Sequence, residues 1–128
     1  MEPIFLLLTE VVEIHCDQIM RYGGSPGIRD VELLQSAVGM PTAGFSEDYL
    51  HSDIFEMAAA YLFHIIRNHP FIDGNKRTGA VTALVFLMMN GIEIVAKEDK
   101  FEAMVRSVAE GKMDKVSVAV FFRKNAGE

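Results

Sequence analysis

Several things are scarce in this sequence, and each shortage excludes something. There is one cysteine, Cys16, so no intrachain disulfide can form and a reducing compartment is predicted. Basic residues are outnumbered, twelve Lys and Arg against eighteen Asp and Glu, for a net charge of −6. A nucleic-acid binder needs clustered Lys and Arg to displace counterions from phosphates, and that surplus is missing. Long apolar runs are missing too. The longest mostly apolar stretch, Gly79 to Met89, is too short to span a bilayer. The short run Ile4 to Leu8 follows Glu2 rather than a positive residue, which does not suit a signal peptide. Repeats, low-complexity tracts and charge blocks are absent, so no internal boundary is expected and residues 1–128 read as one domain. Together these features predict a cytoplasmic protein with a protein or small-molecule partner, no direct nucleic-acid contact and no membrane.

Apolar residues, by contrast, make up 50% of the 128 residues. That is too many for a disordered chain and enough for a core without metals or staples. Their spacing is mostly helical. Ile4 to Leu8 is a short strand or an apolar lead-in, after which Thr9 suits an N-cap and Val11, Val12, Ile14 and Ile19 mark a first helix. Tyr22-Gly23-Gly24 ends it. Asp30 caps a second helix bearing Leu33, Leu34, Ala37 and Val38. Gly39 to Asp53 mixes Pro41, Gly44, Ser46 and Asp48 with Phe45 and Tyr49, which reads as a loop with room for a small hairpin.

A third helix runs from Ile54 to about Asn68 and stops before Pro70. A fourth, Asn75 to Met89, is apolar on almost every side from Ala80 onward, which predicts burial at the centre of the fold. Ile92 to Val95 reads as a short strand, and Glu98 to Glu110 as an amphipathic helix closed by Gly111. In Val116 to Phe122 the β-branched alternation reads as strand, whereas Asp114 as an N-cap reads as helix. The helical reading gives a mainly all-α chain: a helical bundle around a buried central helix.

The chemistry concentrates in His69-Pro70-Phe71-Ile72-Asp73-Gly74-Asn75-Lys76-Arg77. A titratable histidine ends one helix, a tight turn follows, and the next helix starts with its N–H donors unpaired. Such a start attracts phosphate. Lys76 and Arg77 lie in that first turn, where the helix dipole disfavours cations by ~0.3–1 kcal/mol each, and a bound anion would resolve the conflict. Asp73 offers Mg²⁺ a hard oxygen, and His69 can accept a hydroxyl proton near neutral pH. Each feature alone has an ordinary explanation: a helix-end histidine, a turn, a solvated basic corner. Their co-occurrence at one helix start points to phosphoryl or nucleotidyl transfer. His15, His51 and His64 have no zinc-ligand spacing and read as core or surface residues.

This stretch resembles the signature of the Fic superfamily, H-P-F-x-x-G-N-G-R-x-x-R. It is closer still to that of the death-on-curing (Doc) branch, where lysine follows the asparagine as Lys76 does. Arg21-Tyr22-Gly23-Gly24, Gly27-Ile28-Arg29-Asp30 and Leu33 to Ala37 are similar to the N-terminal part of Doc-like chains. Phe86-Leu87, Asn90-Gly91 and Ala109-Glu110-Gly111 are similar to the C-terminal part.

The resemblance implies that His69 is the catalytic base and Asp73 the Mg²⁺ position. It implies that Gly74, Asn75, Lys76 and Arg77 form the ATP phosphate-holding loop, with Arg67 and Arg21 as further pocket residues and Phe71 packed beneath the loop. Lys76 and Ala80 depart from the AMP-transferring pattern, so the implied reaction is transfer of the γ-phosphate of ATP to a Ser or Thr hydroxyl of a protein. The implied target is a translation elongation factor, and the alternatives are AMP transfer or a silent binding module. The loop carrying Phe45 and Tyr49 corresponds to a target-docking flap. Many Fic proteins also carry an inhibitory Ser/Thr-x-x-x-Glu-Gly/Asn helix. Ser107 to Gly111 is one residue too short for it, which rotates the glutamate by ~100° on a helix. The implied control is therefore a separate small antitoxin whose disordered segment folds onto this toxin.

Overall fold

The computed structural model describes residues 2–45, 48–51 and 53–127. Six helices carry the fold: α1 Leu8–Tyr22, α2 Val31–Gly39, α3 Ile54–Asn68, α4 Asn75–Met89, α5 Glu98–Ala109 and α6 Lys115–Lys124. Between α2 and α3 lies a minimal antiparallel pair, β1 Gly44–Phe45 with β2 Asp48–Tyr49, in register Gly44 to Tyr49 and Phe45 to Asp48. The hairpin expected there is present in this reduced form; Ser46 lies outside the described residues.

Three helix starts are set by aspartate caps. Asp30 accepts from the Leu33 N–H (3.0 Å), Asp53 from Glu56 (2.8 Å) and Asp114 from Ser117 (2.8 Å). The last of these decides the ambiguous segment in favour of helix. The first helix departs from expectation, since its N-cap is Leu7 and Thr9 lies inside the first turn. Glu10 reaches back to accept from the Leu7 N–H at 2.7 Å, so a carboxylate in the first turn serves the start that Thr9 was expected to cap. Ile4 is an extended lead-in rather than a strand, held by Asn90, whose amide oxygen accepts from the Ile4 N–H and whose NH₂ donates to the Ile4 carbonyl. The stretch Ile92 to Val95 forms a single bridge, Ile94 to Ala126.

The centre of the bundle is α3, which packs against α2, α4, α5 and α6. Its residues Met57 to Leu62, with Ile65 and Ile66, are all buried. Helix α4 lies against it with α1 on the other side. The face α4 buries runs through Thr78, Gly79, Thr82, Ala83, Phe86 and Leu87, whereas Met88 is exposed. The apolar run is thus less uniformly buried than its composition suggests, and small residues do the close packing. A Cβ on Gly79 would stand 3.0 Å from Ile66 Cγ1 and 3.2 Å from the Leu62 carbonyl oxygen. Phe86 and Tyr61 tilt against each other at 5.1 Å, and Phe5 stacks on Phe86 at 5.7 Å. Fully burying such aromatic rings stabilises the fold by roughly 1.5–3 kcal/mol each. The α3–α4 crossing fixes the loop between them, and that loop carries the chemistry.

Candidate active site

Helix α3 ends where the sequence requires. Pro70 disfavours the helical region for the residue before it, and His69 takes φ 51°, ψ 53°, the one non-glycine positive φ among the described residues. The chain then folds over Phe71, which is fully buried, and re-enters a helix at Asn75 through Gly74 at φ 77°. Asn75 closes this turn. Its Oδ1 accepts from the Phe71 N–H at 2.9 Å and its Nδ2 donates to the Phe71 carbonyl at 3.0 Å. The Asn75 side chain is therefore a buried lock on the loop. The first hydrogen bond within α4 is donated by the Thr78 N–H to the Gly74 carbonyl. The earlier donors at the helix start have no intrahelical partner.

Asp73 stands at the mouth of this turn. One carboxylate oxygen accepts from the Ser25 N–H (3.1 Å) and the other from its neighbour, the Gly74 N–H (2.8 Å). These two donors, with Arg77 and His15 nearby, hold its pKa below the ordinary carboxylate value. It stays an anionic oxygen donor over the whole neutral range. Its carbonyl is held separately by His15 of α1, whose Nε2 lies 2.8 Å away. The bond requires the proton on that nitrogen. The His15 ring also stacks on Phe71 at 3.8 Å and 5°.

A cleft of about 380 Å³ brings together His69, Asp73, Gly74, Asn75, Lys76 and Arg77, with Ile66 and Ala109 as its apolar wall. His69 and Lys76 are exposed in it, and Lys76 forms no ion pair or hydrogen bond among the described residues. Arg77 is committed differently: it donates to the carbonyls of Gln18 (3.3 Å) and Gly23 (2.8 Å) and lies over the Tyr22 ring. That ties the end of α1 to the start of α4. A second groove of about 520 Å³ shares Lys76 and Arg77 and continues past Ala80 to Phe101 and Val105 of α5.

Two expected pocket residues lie elsewhere. Arg21 pairs with Asp17 on exposed α1 surface, at 2.9 Å. Arg67 donates to the Val108 and Ala109 carbonyls, capping the end of α5. Glu110 pairs with Lys112 at 3.3 Å and does not line the cleft. Among the described residues no three His, Cys, Asp or Glu side chains converge as a metal site, and His64 instead meets Lys115 Nζ at 3.1 Å. Sequence reasoning missed His15 and Arg29. His15 belongs to the buried α1 face of Val11 and Gln18, a spacing that marks burial but gives no hint of a ring stacked under the loop.

The family model described as "Fic/DOC family" matches residues 5–87. The chain is 34% identical over 118 residues to "Protein kinase doc" of Escherichia phage P1, covering 92% of each chain. It is 36% identical over 100 residues to "Toxin Doc" of Mycolicibacterium smegmatis (strain ATCC 700084 / mc(2)155), covering 77% of each. No helix among the described residues is long and apolar enough to cross a membrane. The fold, the loop and the relatives converge, and the chain belongs to the Fic/DOC family.

Proposed function

We propose that residues 1–128 act as one Doc-type toxin domain in the cytoplasm, a protein kinase that moves the γ-phosphate of ATP to a Ser or Thr hydroxyl. The observation that carries this reading is the single cleft holding a base, an anionic oxygen and a positively charged helix start: His69, Asp73 and Lys76 at the beginning of α4.

Charge and donor type fit a magnesium ion carried in with nucleotide, which needs one or two carboxylates and substrate phosphates rather than an all-protein cage. Asp73 would hold it, and its charge would neutralise the developing negative charge on the phosphates. The chain's own residues do the rest. His69 accepts the proton of the target hydroxyl as the oxygen–phosphorus bond forms and the bond to the β-phosphate oxygen breaks, releasing ADP. The proton then passes to solvent. The N–H groups at the start of α4 and the Lys76 ammonium stabilise the equatorial oxygens of the transferring group. Ala80 stands at the position where the AMP-transferring pattern has arginine, which favours γ-phosphoryl transfer.

The target is a translation elongation factor, so the outcome is translational arrest. With Glu110 engaged by Lys112, restraint comes from a separate antitoxin whose disordered segment folds onto the domain. Incubating a cell extract with the protein and ATP labelled at either the α or the γ position tests the reaction. Label entering one extract protein from the γ position alone is expected; label entering from the α position would replace phosphoryl transfer with AMP transfer.

A further inference from the structure

The residue that would act as base closes α3 in the left-handed region, the one non-glycine with positive φ among the described residues and a conformation uncommon for non-glycine residues, though less so for histidine. Helix C-termini leave their last carbonyls without intrahelical partners, and here the carbonyl of Asn68, the last residue of α3, and those of His69 and Pro70 after it are claimed by one short segment preceding α2. Arg29 Nε donates to the His69 carbonyl at 2.7 Å and Arg29 Nη2 to the Asn68 carbonyl at 3.0 Å. The backbone N–H groups of Arg29 and Asp30 both donate to the Pro70 carbonyl, at 2.7 and 3.0 Å. Asn68 is in turn tied to α2 through its Nδ2, which donates to the Leu33 carbonyl at 3.0 Å. The peptide planes on both sides of His69 are therefore fixed from outside the helix, by a planar fork whose two donors diverge to two different carbonyls. A lysine, with one ammonium on a flexible stem, cannot reproduce that fork.

We propose that Arg29 is a positioning residue for the phosphoryl-transfer reaction: it clamps the left-handed backbone at His69 and so aims the imidazole into the cleft. The inference rests on the reading of His69 as base. It differs from ordinary helix capping in what it predicts. A cap lost at the far end of a helix lowers stability alone, whereas a loosened base also reduces turnover, because misplacement by about 1 Å can cost roughly 10²-fold in rate. Mg·ATP binding should not change, since the Arg29 side chain touches neither Asp73 nor Lys76: the Asp73 carboxylate accepts from the Ser25 and Gly74 N–H groups, its carbonyl is held by His15, and the start of α4 is tied by Asn75 and Arg77.

The test uses the full chain and compares Arg29→Met, Arg29→Lys and Arg29→Ala with Arg123→Met. The last removes the 2.7 Å contact to Asp53 at the opposite end of α3. The wild type must first transfer γ-label; if it does not, the reading of the site fails before the inference is reached. Given transfer, Arg29→Met is expected to lower kcat on the order of 10- to 100-fold with the wild-type Kd for Mg·ATP by calorimetry, and Arg29→Lys to fall between. Arg123→Met is expected to lose stability and keep kcat. Added methylguanidinium should restore kcat to Arg29→Ala. The rescue is read as kcat at a temperature where Arg29→Ala is already fully folded, so a gain in stability from the added guanidinium does not account for it. A folded Arg29→Met with wild-type kcat overturns the proposal. If Arg29→Met does not fold, wild-type kcat in Arg29→Lys overturns it equally.

Discussion

Replacing Asn75 with alanine separates two roles that the loop signature leaves entangled. If the side chain held phosphate, its loss would weaken nucleotide binding and leave the ligand-free protein as stable as before. The structure assigns it differently: it is 5% exposed and satisfies both the N–H and the carbonyl of fully buried Phe71. Truncation leaves two buried backbone groups unpaired, each costing about 1–3 kcal/mol. Water entering the vacated space recovers part of this, so a net loss of about 2–4 kcal/mol is expected. At roughly 3–5 °C per kcal/mol for a chain of this size, the melting temperature should fall by about 6–20 °C. Calorimetry of the ligand-free variant, with urea denaturation as a second measure, provides the assay. An Asn75→Ala protein that melts with the wild type but binds Mg·ATP weakly would refute the assignment of Asn75 as the lock of the turn.

Three further outcomes follow from the same structure. Asp73→Asn removes the anionic donor while an amide oxygen can still face the Ser25 N–H, so Mg·ATP binding should weaken while ATP binding in EDTA stays level; equal losses in both would remove the metal role. His64 has its pKa pushed down to about 4, first by burial and then by Lys115, from an ordinary 6.5. The unfolded chain then binds a proton that the native chain refuses, so stability is full above about pH 6.5 and is lost as pH falls toward 4. With the ring half in solvent the loss is on the order of 1 kcal/mol, and the urea midpoint of the wild type should fall more than that of His64→Gln between pH 7 and pH 5; parallel falls would contradict this. Gly79→Val pushes a branched side chain onto the Leu62 carbonyl and Ile66, and should destabilise by about 1–3 kcal/mol, read as a lower melting temperature; an unchanged one would mean that the α3–α4 crossing yields easily.

Much of the fold was legible because local signals decide it. The caps Asp30 and Asp114, the stop at Pro70 and the αL glycines 74, 91 and 111 act within a few residues of themselves. The start of α1 was misread because two acceptors compete there: Thr9 is a plausible cap, but Glu10 reaches the Leu7 N–H first. Burial was assigned too fully to α4 because composition does not say which helix gains neighbours on every side, and that helix is α3. At the site, residue types close in sequence were readable as a phosphate-binding turn. The division of labour among them was not. Asn75 turned inward, Arg77 turned to α1, and Arg67 turned to the end of α5. His15 and Arg29 lie 58 and 40 positions from the loop residues they hold, and no spacing rule links such distant partners.

The account stands or falls on His69 as the base of γ-phosphoryl transfer. The direct measurement is the rate at which γ-labelled ATP labels the target protein, compared between wild type and His69→Ala at matched melting temperature. His69 is exposed, so the variant should fold normally. The expected result is a loss of about 10²–10⁴-fold, the usual contribution of a general base. A folded His69→Ala protein that labels its target at the wild-type rate would contradict the account.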